Sequence, residues 1–229
     1  VVFSGAVSVS EQKYKAGLWI RDSSAGIGTV TFCTQNGCFA SLGHAVCDID
    51  TKMVLPVLSG ECTDVNITGI IKGNSGKTGE MCGILEGKGT GQVLYNGDLG
   101  VYGKFNYANV TQLYPIAEAN EIETGEAKIY TTLEVGIIEE YDIKILRIDE
   151  NSDENKNLVL SVTDQRLIEK TGGIIQGMSG SPIVQNGKII GAVTHVFLDD
   201  PTGGYGIFAK TMLETTKAVT NDNELKKAS

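Results

Sequence analysis

Two stretches of this chain share one design. Residues 28–34 (GTVTFCT) and 38–42 (CFASL) flank Gln-Asn-Gly, and SPIVQNGKIIGAVTHVF at 181–197 repeats the device, an Asn-Gly pair between two apolar runs. Asn and Gly accept the backbone of a tight reversal, so each stretch predicts a β-hairpin. Short apolar or alternating runs recur at 53–58, 65–71, 91–95, 100–107, 127–133, 135–148 and 157–163, and the 29 glycines fall largely between them. Many short strands with frequent turns predict an all-β sandwich or barrel.

The least strand-like central stretch, ANVTQLYPIAEANEIETG at 108–125, contains Pro115 and divides the strands into two groups. It predicts an N-terminal β unit over 1–108, a linker over 109–125 and a C-terminal β unit over 126–229. Two helices are expected. One is short, near 164–170, with Asp164 placed to cap its start. The other begins near 211, rich in helix formers with lysines towards its end.

The bulk numbers exclude several classes. The net charge of −9 argues against nucleic acid, whose binding needs Lys and Arg to neutralise phosphates. The acidic stretch at 139–155 reads as a solvated hairpin rim. No apolar run approaches the roughly 18–20 residues that cross a bilayer, and the first residues do not resemble a signal peptide. Five cysteines (33, 38, 47, 62 and 82) lie in the first half; an odd number cannot pair completely, and free thiols are expected, although Cys33 and Cys38 flank one turn. No C-x-x-C pair occurs and only two histidines exist, so no metal or other cofactor is expected.

What remains is hydroxyl chemistry. Ser179 stands in GMSGSP, Gly177 to Pro182, directly before the second hairpin. A hydroxyl is a poor nucleophile until a base takes its proton. Of the two histidines, His44 follows the first hairpin in a Gly-preceded turn, where its ring can enter a cleft. His195 lies within a strand, as a packed or edge residue. Glycines around Ser179 allow a loop tight enough for the amides of Gly177 and Ser179 to face a developing oxyanion.

This order, His early in the first β unit and Gly-x-Ser-Gly-x-Pro before a hairpin in the second, resembles the chymotrypsin-like proteases. The resemblance implies two six-stranded β-barrels with a C-terminal helix. It also implies that Thr194, His195 and Val196 form the strand that a bound peptide pairs with. Gly173, six residues before Ser179, would floor the specificity pocket without a carboxylate, and Val196 would narrow it, so a small or apolar side chain is expected before the scissile bond. A closer match joins SLGHAVCD, TDQRLIEKTGGIIQGMSGSPIVQNGKIIGAVTHVF and GYGIFAKTML, which together resemble the SpoIVB peptidases of endospore-forming bacteria. That family implies a serine endopeptidase acting between mother cell and forespore, on a membrane-bound sporulation regulator and on itself. Its members carry an N-terminal membrane anchor and a PDZ domain, neither of which is visible here.

Two carboxylates compete to orient His44. The family resemblance points to Asp164, fifteen residues before Ser179. General chymotrypsin-like topology points to Asp98, in the Asp-aliphatic-small-aliphatic start of a strand. Asp164 is the preferred of the two; Asp48 and Asp50 are read as residues of a solvated turn. Two further readings stand beside signalling proteolysis: a silent peptide-binding module and a general quality-control protease of the envelope. A cysteine nucleophile at Cys47 is disfavoured, because it lies three residues from His44 on a strand that could point the two apart.

Overall fold

The computed structural model describes residues 6–7, 10, 12–15, 24–106, 112–152 and 155–228. Strands β1 (Ala6–Val7) and β2 (Tyr14–Lys15) form a small antiparallel ribbon. Five further strands, β3 (Val30–Cys33), β4 (Cys38–Ser41), β5 (Glu61–Ile71), β6 (Glu80–Gly97) and β7 (Gly100–Phe105), build an open sheet in the order β3-β4-β7-β6-β5. Six more close into a barrel: β8 (Gly125–Glu134), β9 (Ile137–Ile148), β10 (Leu158–Val162), β11 (Pro182–Gln185), β12 (Lys188–Val196) and β13 (Gly203–Phe208), in the order β10-β13-β12-β11-β8-β9. Helix α1 (Gln165–Thr171) bridges β10 and β11, and α2 (Ala209–Ala228) follows β13.

Both Asn-Gly hairpins form. In β11–β12 the two turn residues, Asn186 and Gly187, have φ of 51° and 75°, the doubly left-handed turn whose twist matches that of the strands. In β3–β4 the turn closes with Gly37 N–H donating to the Thr34 carbonyl at 2.9 Å.

The expected closed N-terminal barrel is instead a half-barrel, five strands open at β3 and β5 among the described residues. The run 53–58 supplies no strand, only a bridge between Cys47 and Val54. Its backbone is diverted before it can pair, because the Asp48 carboxylate accepts from the amides of Asp50 and Thr51, a local alternative to a ladder. Residues 109–111 of the expected linker lie outside the described residues. The remainder carries a bridge from Ile116 to Ile189 and a single 3₁₀ turn at Ala119–Glu121.

The main core fills the closed barrel with Ile129, Tyr141, Ile143, Leu160, Ile183 and Val193, and Met81 of β6 joins it from the open sheet. A second cluster, Ala40, Tyr102, Ala192, Ile207 and Met212, sits where the open sheet, the barrel and α2 meet. Ala209, Met212 and Thr216 of α2 are buried there at helical spacing. The acidic rim of β9 is partly paired, with Glu139 facing Lys170 and Glu140 facing Lys128. All five cysteines are free thiols; burial pushes the Cys62 thiol up to about 11.

Candidate active site

The loop Gly172–Ser181 carries Ser179, and its peptide planes are fixed one after another. The Gln176 carbonyl accepts from Met81 N–H at 2.9 Å, and the Gly177 carbonyl accepts from Thr29 Oγ1 at 2.9 Å. The Met178 carbonyl accepts from Ser181 N–H, and the Ser179 carbonyl accepts from Thr29 N–H, both at 2.9 Å. The amides of Met178, Gly180 and Ser181 are all donated, to Ile175, Val193 and Met178. Those of Gly177 and Ser179 donate to nothing among the described residues. Each belongs to a peptide whose carbonyl is tied on the opposite side, so neither can turn inward for a partner.

Gly180 shows why a glycine follows the serine. Its φ is 93°, and a Cβ there would lie 2.0 Å from the Thr29 carbonyl oxygen and 2.6 Å from the Leu42 amide. Thr29 was missed in the sequence, where it is one more threonine at a strand edge. In the fold it clamps the serine loop twice and accepts from Leu42 N–H at 3.3 Å, tying that loop to the end of β4.

His44 leaves β4 through a sharp corner. Leu42 and Gly43 both have positive φ, 66° and 71°, and Gly43 is pressed so closely on the Thr194 and Ile207 side chains that a Cβ would meet both below 3 Å. The corner therefore places His44 beside the end of β12. Its ring stands 5.1 Å from that of His195, centre to centre and tilted by 42°. His44 Nδ1 lies 3.0 Å from the Ala45 carbonyl. A carbonyl only accepts, so Nδ1 carries the proton and Nε2 presents a lone pair. Asn96, also missed in the sequence, holds the next residues: its side chain exchanges two 2.8 Å hydrogen bonds with the Val46 backbone.

Ser179 Oγ donates to the Thr194 carbonyl at 2.8 Å, so serine and histidine meet neighbouring residues of β12, Thr194 and His195, and no hydrogen bond joins them among the described residues. β11 pairs with β12 only as far as Ala192, leaving Thr194, His195 and Val196 beyond the end of β11. Partial desolvation of its ring, with His44 and Lys156 nearby, lowers the His195 pKa.

The two carboxylates are placed very differently. Asp164 caps α1, accepting from Arg166 N–H at 2.9 Å, while the Arg166 guanidinium reaches both of its oxygens at 3.1 and 2.7 Å. The Asp142 amide adds a fourth contact at 3.3 Å. Together these hold its pKa at about 2, with the Arg166 hydrogen bonds the largest cause. The structure does not bring Asp164 to His44; its oxygens are already committed. Asp98 sits exposed in the two-residue turn between β6 and β7 and makes no bond to His44 either. Its turn is nonetheless adjacent: two residues on, Gly100 packs so tightly that a Cβ would lie 2.6 Å from the Ser41 carbonyl and 3.1 Å from the Gly43 amide.

Gly173 has φ of 131°, and a Cβ would strike the Pro201 carbonyl at 2.2 Å, so this position cannot carry a side chain. Among the described residues no three His, Cys, Asp or Glu side chains cluster as a metal site, and no helix is long and apolar enough to span a membrane.

The sequence matches the SpoIVB peptidase S55 family over residues 12–213. The chain belongs to that family. It carries that peptidase family's sequence on the β architecture described above. Among solved structures, the Rv3671c protease from M. tuberculosis is similar. Its active form shares 16% identity with a TM-score of 0.42, over 63% of this chain and 64% of that chain. Its inactive form shares 16% identity with a TM-score of 0.40, over 61% of this chain and 72% of that one. This chain thus spans just under two thirds of the active-form protein. No curated protein sequence matches it.

Proposed function

We propose that this SpoIVB-family peptidase is an endopeptidase in which Ser179 attacks the scissile carbonyl and His44 serves as base and then acid. Ser179 Oγ forms the bond to the carbonyl carbon, its proton passes to His44 Nε2, and that proton is later given to the leaving amine. The amides of Gly177 and Ser179 receive the oxyanion. The observation that carries this reading is that the amides of Gly177 and Ser179 are unpartnered among the described residues, each in a peptide whose carbonyl is tied, and alternate with the satisfied amides of Met178 and Gly180. Asp98 is the carboxylate assigned to orient His44. The close packing of Gly100 on Gly43 supports it, while the commitment of Asp164 to Arg166 argues for a structural role there. The peptide enters as a strand along Thr194–Val196, with Gly173 and Val196 shaping a pocket for a small or apolar side chain. No cofactor takes part.

Family membership supports a role in sporulation signalling: cleavage of a membrane-bound regulator and of the peptidase itself, between mother cell and forespore, in a longer protein with a membrane anchor and a PDZ domain. Labelling with a fluorophosphonate probe tests the chemistry. Ser179→Ala and His44→Ala abolish labelling, Asp98→Asn lowers it sharply, and folded Asp164→Asn still labels; loss of labelling in folded Asp164→Asn with retention in Asp98→Asn overturns the assignment of the acid. Cleavage confined to selected sites in a membrane regulator, with casein left intact, supports signalling over general quality control.

A further inference from the structure

The chain has two histidines, 151 positions apart, and the fold brings them together. Their ring centres are 5.1 Å apart. Two imidazoles on one tetrahedral ion, each bound through a metal–nitrogen bond of about 2.0–2.1 Å, stand with ring centres about 5 Å apart. His44 is already arranged as metal-ligating histidines are: Nδ1–H is tied to a backbone carbonyl, fixing the tautomer and leaving Nε2 to coordinate. His195 is exposed on β12 and makes no hydrogen bond through its ring among the described residues.

We infer that His44 and His195 form a two-histidine site for a zinc ion that inhibits the peptidase reversibly. A borderline cation such as zinc takes imidazole nitrogen readily. Without a third His, Cys, Asp or Glu in the cluster, water or the Ser179 hydroxyl completes the shell. This is an acquired, exchangeable ion, unlike a buried structural zinc held by four protein ligands. Bound zinc occupies the Nε2 lone pair that would take the serine proton. It also places a charge beside the edge Thr194–Val196. The inhibitory consequence rests on His44 being the base; the binding does not.

The test uses Ser179→Ala protein, so that autolysis cannot intervene, titrated with zinc chloride alone. With only two histidines in the chain, both sets of imidazole proton signals can be followed by NMR. The expected result is that both shift together, saturating at one ion per chain. Calorimetric affinity should fall about tenfold or more on adding His195→Asn and stay unchanged on adding Cys47→Ser, the exposed thiol nearest in sequence. Histidine signals that stay still, or move singly, overturn the site, as does binding that survives His195→Asn or requires Cys47. In the intact protein, zinc should slow fluorophosphonate labelling and a chelator should restore it. Unchanged labelling of zinc-saturated protein overturns the inhibition, and with it the role of His44 as base, while the two-histidine site stands on the NMR result.

Discussion

Ser179 donates its hydroxyl hydrogen to the carbonyl oxygen of Thr194 at 2.8 Å, on the strand edge where a substrate backbone is proposed to bind. An incoming peptide N–H that claims this carbonyl displaces the serine and frees its hydroxyl to turn towards His44. Substrate binding and nucleophile release then become one event. A fluorophosphonate carrying an extended peptide should therefore label faster than a simple alkyl one. Releasing one hydrogen bond is worth about 1 kcal/mol, or about fivefold in rate, beyond any gain in affinity. Equal maximal labelling rates at saturation would show that the Thr194 contact does not restrain the serine.

Thr29 gives a second handle on the same loop. Thr29→Val keeps the backbone bond to the Ser179 carbonyl but deletes the Oγ1 bond to the Gly177 carbonyl. The loop then loses one of the ties that fix the peptide between Gly177 and Met178. The maximal labelling rate is expected to fall several-fold, in line with about 1 kcal/mol for a partly buried hydrogen bond. Apparent affinity for a peptide probe should stay unchanged, since no hydrogen bond joins Thr29 to Thr194–Val196 among the described residues. Thr29→Ser should restore the rate. A fall in melting temperature with normal labelling would mark Thr29 as structural only.

Asp164 and Arg166 predict a pH-dependent stability. The Asp164 carboxyl is held at about 2 when folded, below the usual value of about 3.9. A depressed carboxylate contributes stability above its unfolded pKa, and that contribution is lost as pH falls from about 4 towards 2. Because the Arg166 side chain is 65% exposed, solvent screening leaves the pair worth about 1 kcal/mol. Arg166→Gln should cost about that much at neutral pH and flatten the loss between those pH values, as followed by chemical denaturation. Asp164→Ala also removes the cap of α1 and should cost about 1–2 kcal/mol, while Asp164→Asn keeps the cap and costs less.

These placements show how far local chemistry reaches. The Asn186-Gly187 turn, α1 and its Asp164 cap were legible because each is decided within a few residues. Strand β6 was only half legible, since Gly83, Gly87, Gly89 and Gly91 interrupt the alternation that would have marked it. Ser179 and His44 stood out by residue type and spacing to glycine. Thr29 and the meeting of His44 with His195 did not, because each depends on segments that touch only after the open sheet closes on the barrel; Asn96 did not, because its bonds to Val46 and Leu55 join residues 41–50 positions apart in the chain. The competition between Asp98 and Asp164 was likewise undecidable in one dimension: what separates them is an arginine beside one and Gly100 against Gly43 near the other.

Specificity yields the last prediction. Gly173 cannot carry a side chain, because a Cβ would meet the Pro201 carbonyl at 2.2 Å and its φ of 131° disfavours any other residue. The position proposed to floor the specificity pocket therefore presents backbone alone. Val196, paired in register with Gly204, is the aliphatic residue proposed for the rim of the same pocket. A basic side chain placed there would lose hydration without gaining a counter-charge, at a cost of some kcal/mol. Peptide phosphonates with Ala or Val before the reactive phosphorus should thus inactivate the enzyme at least about tenfold faster than the Arg analogue, and Val196→Gly should widen tolerance towards larger apolar groups. Faster inactivation by the Arg analogue would move the pocket away from Gly173 and Val196.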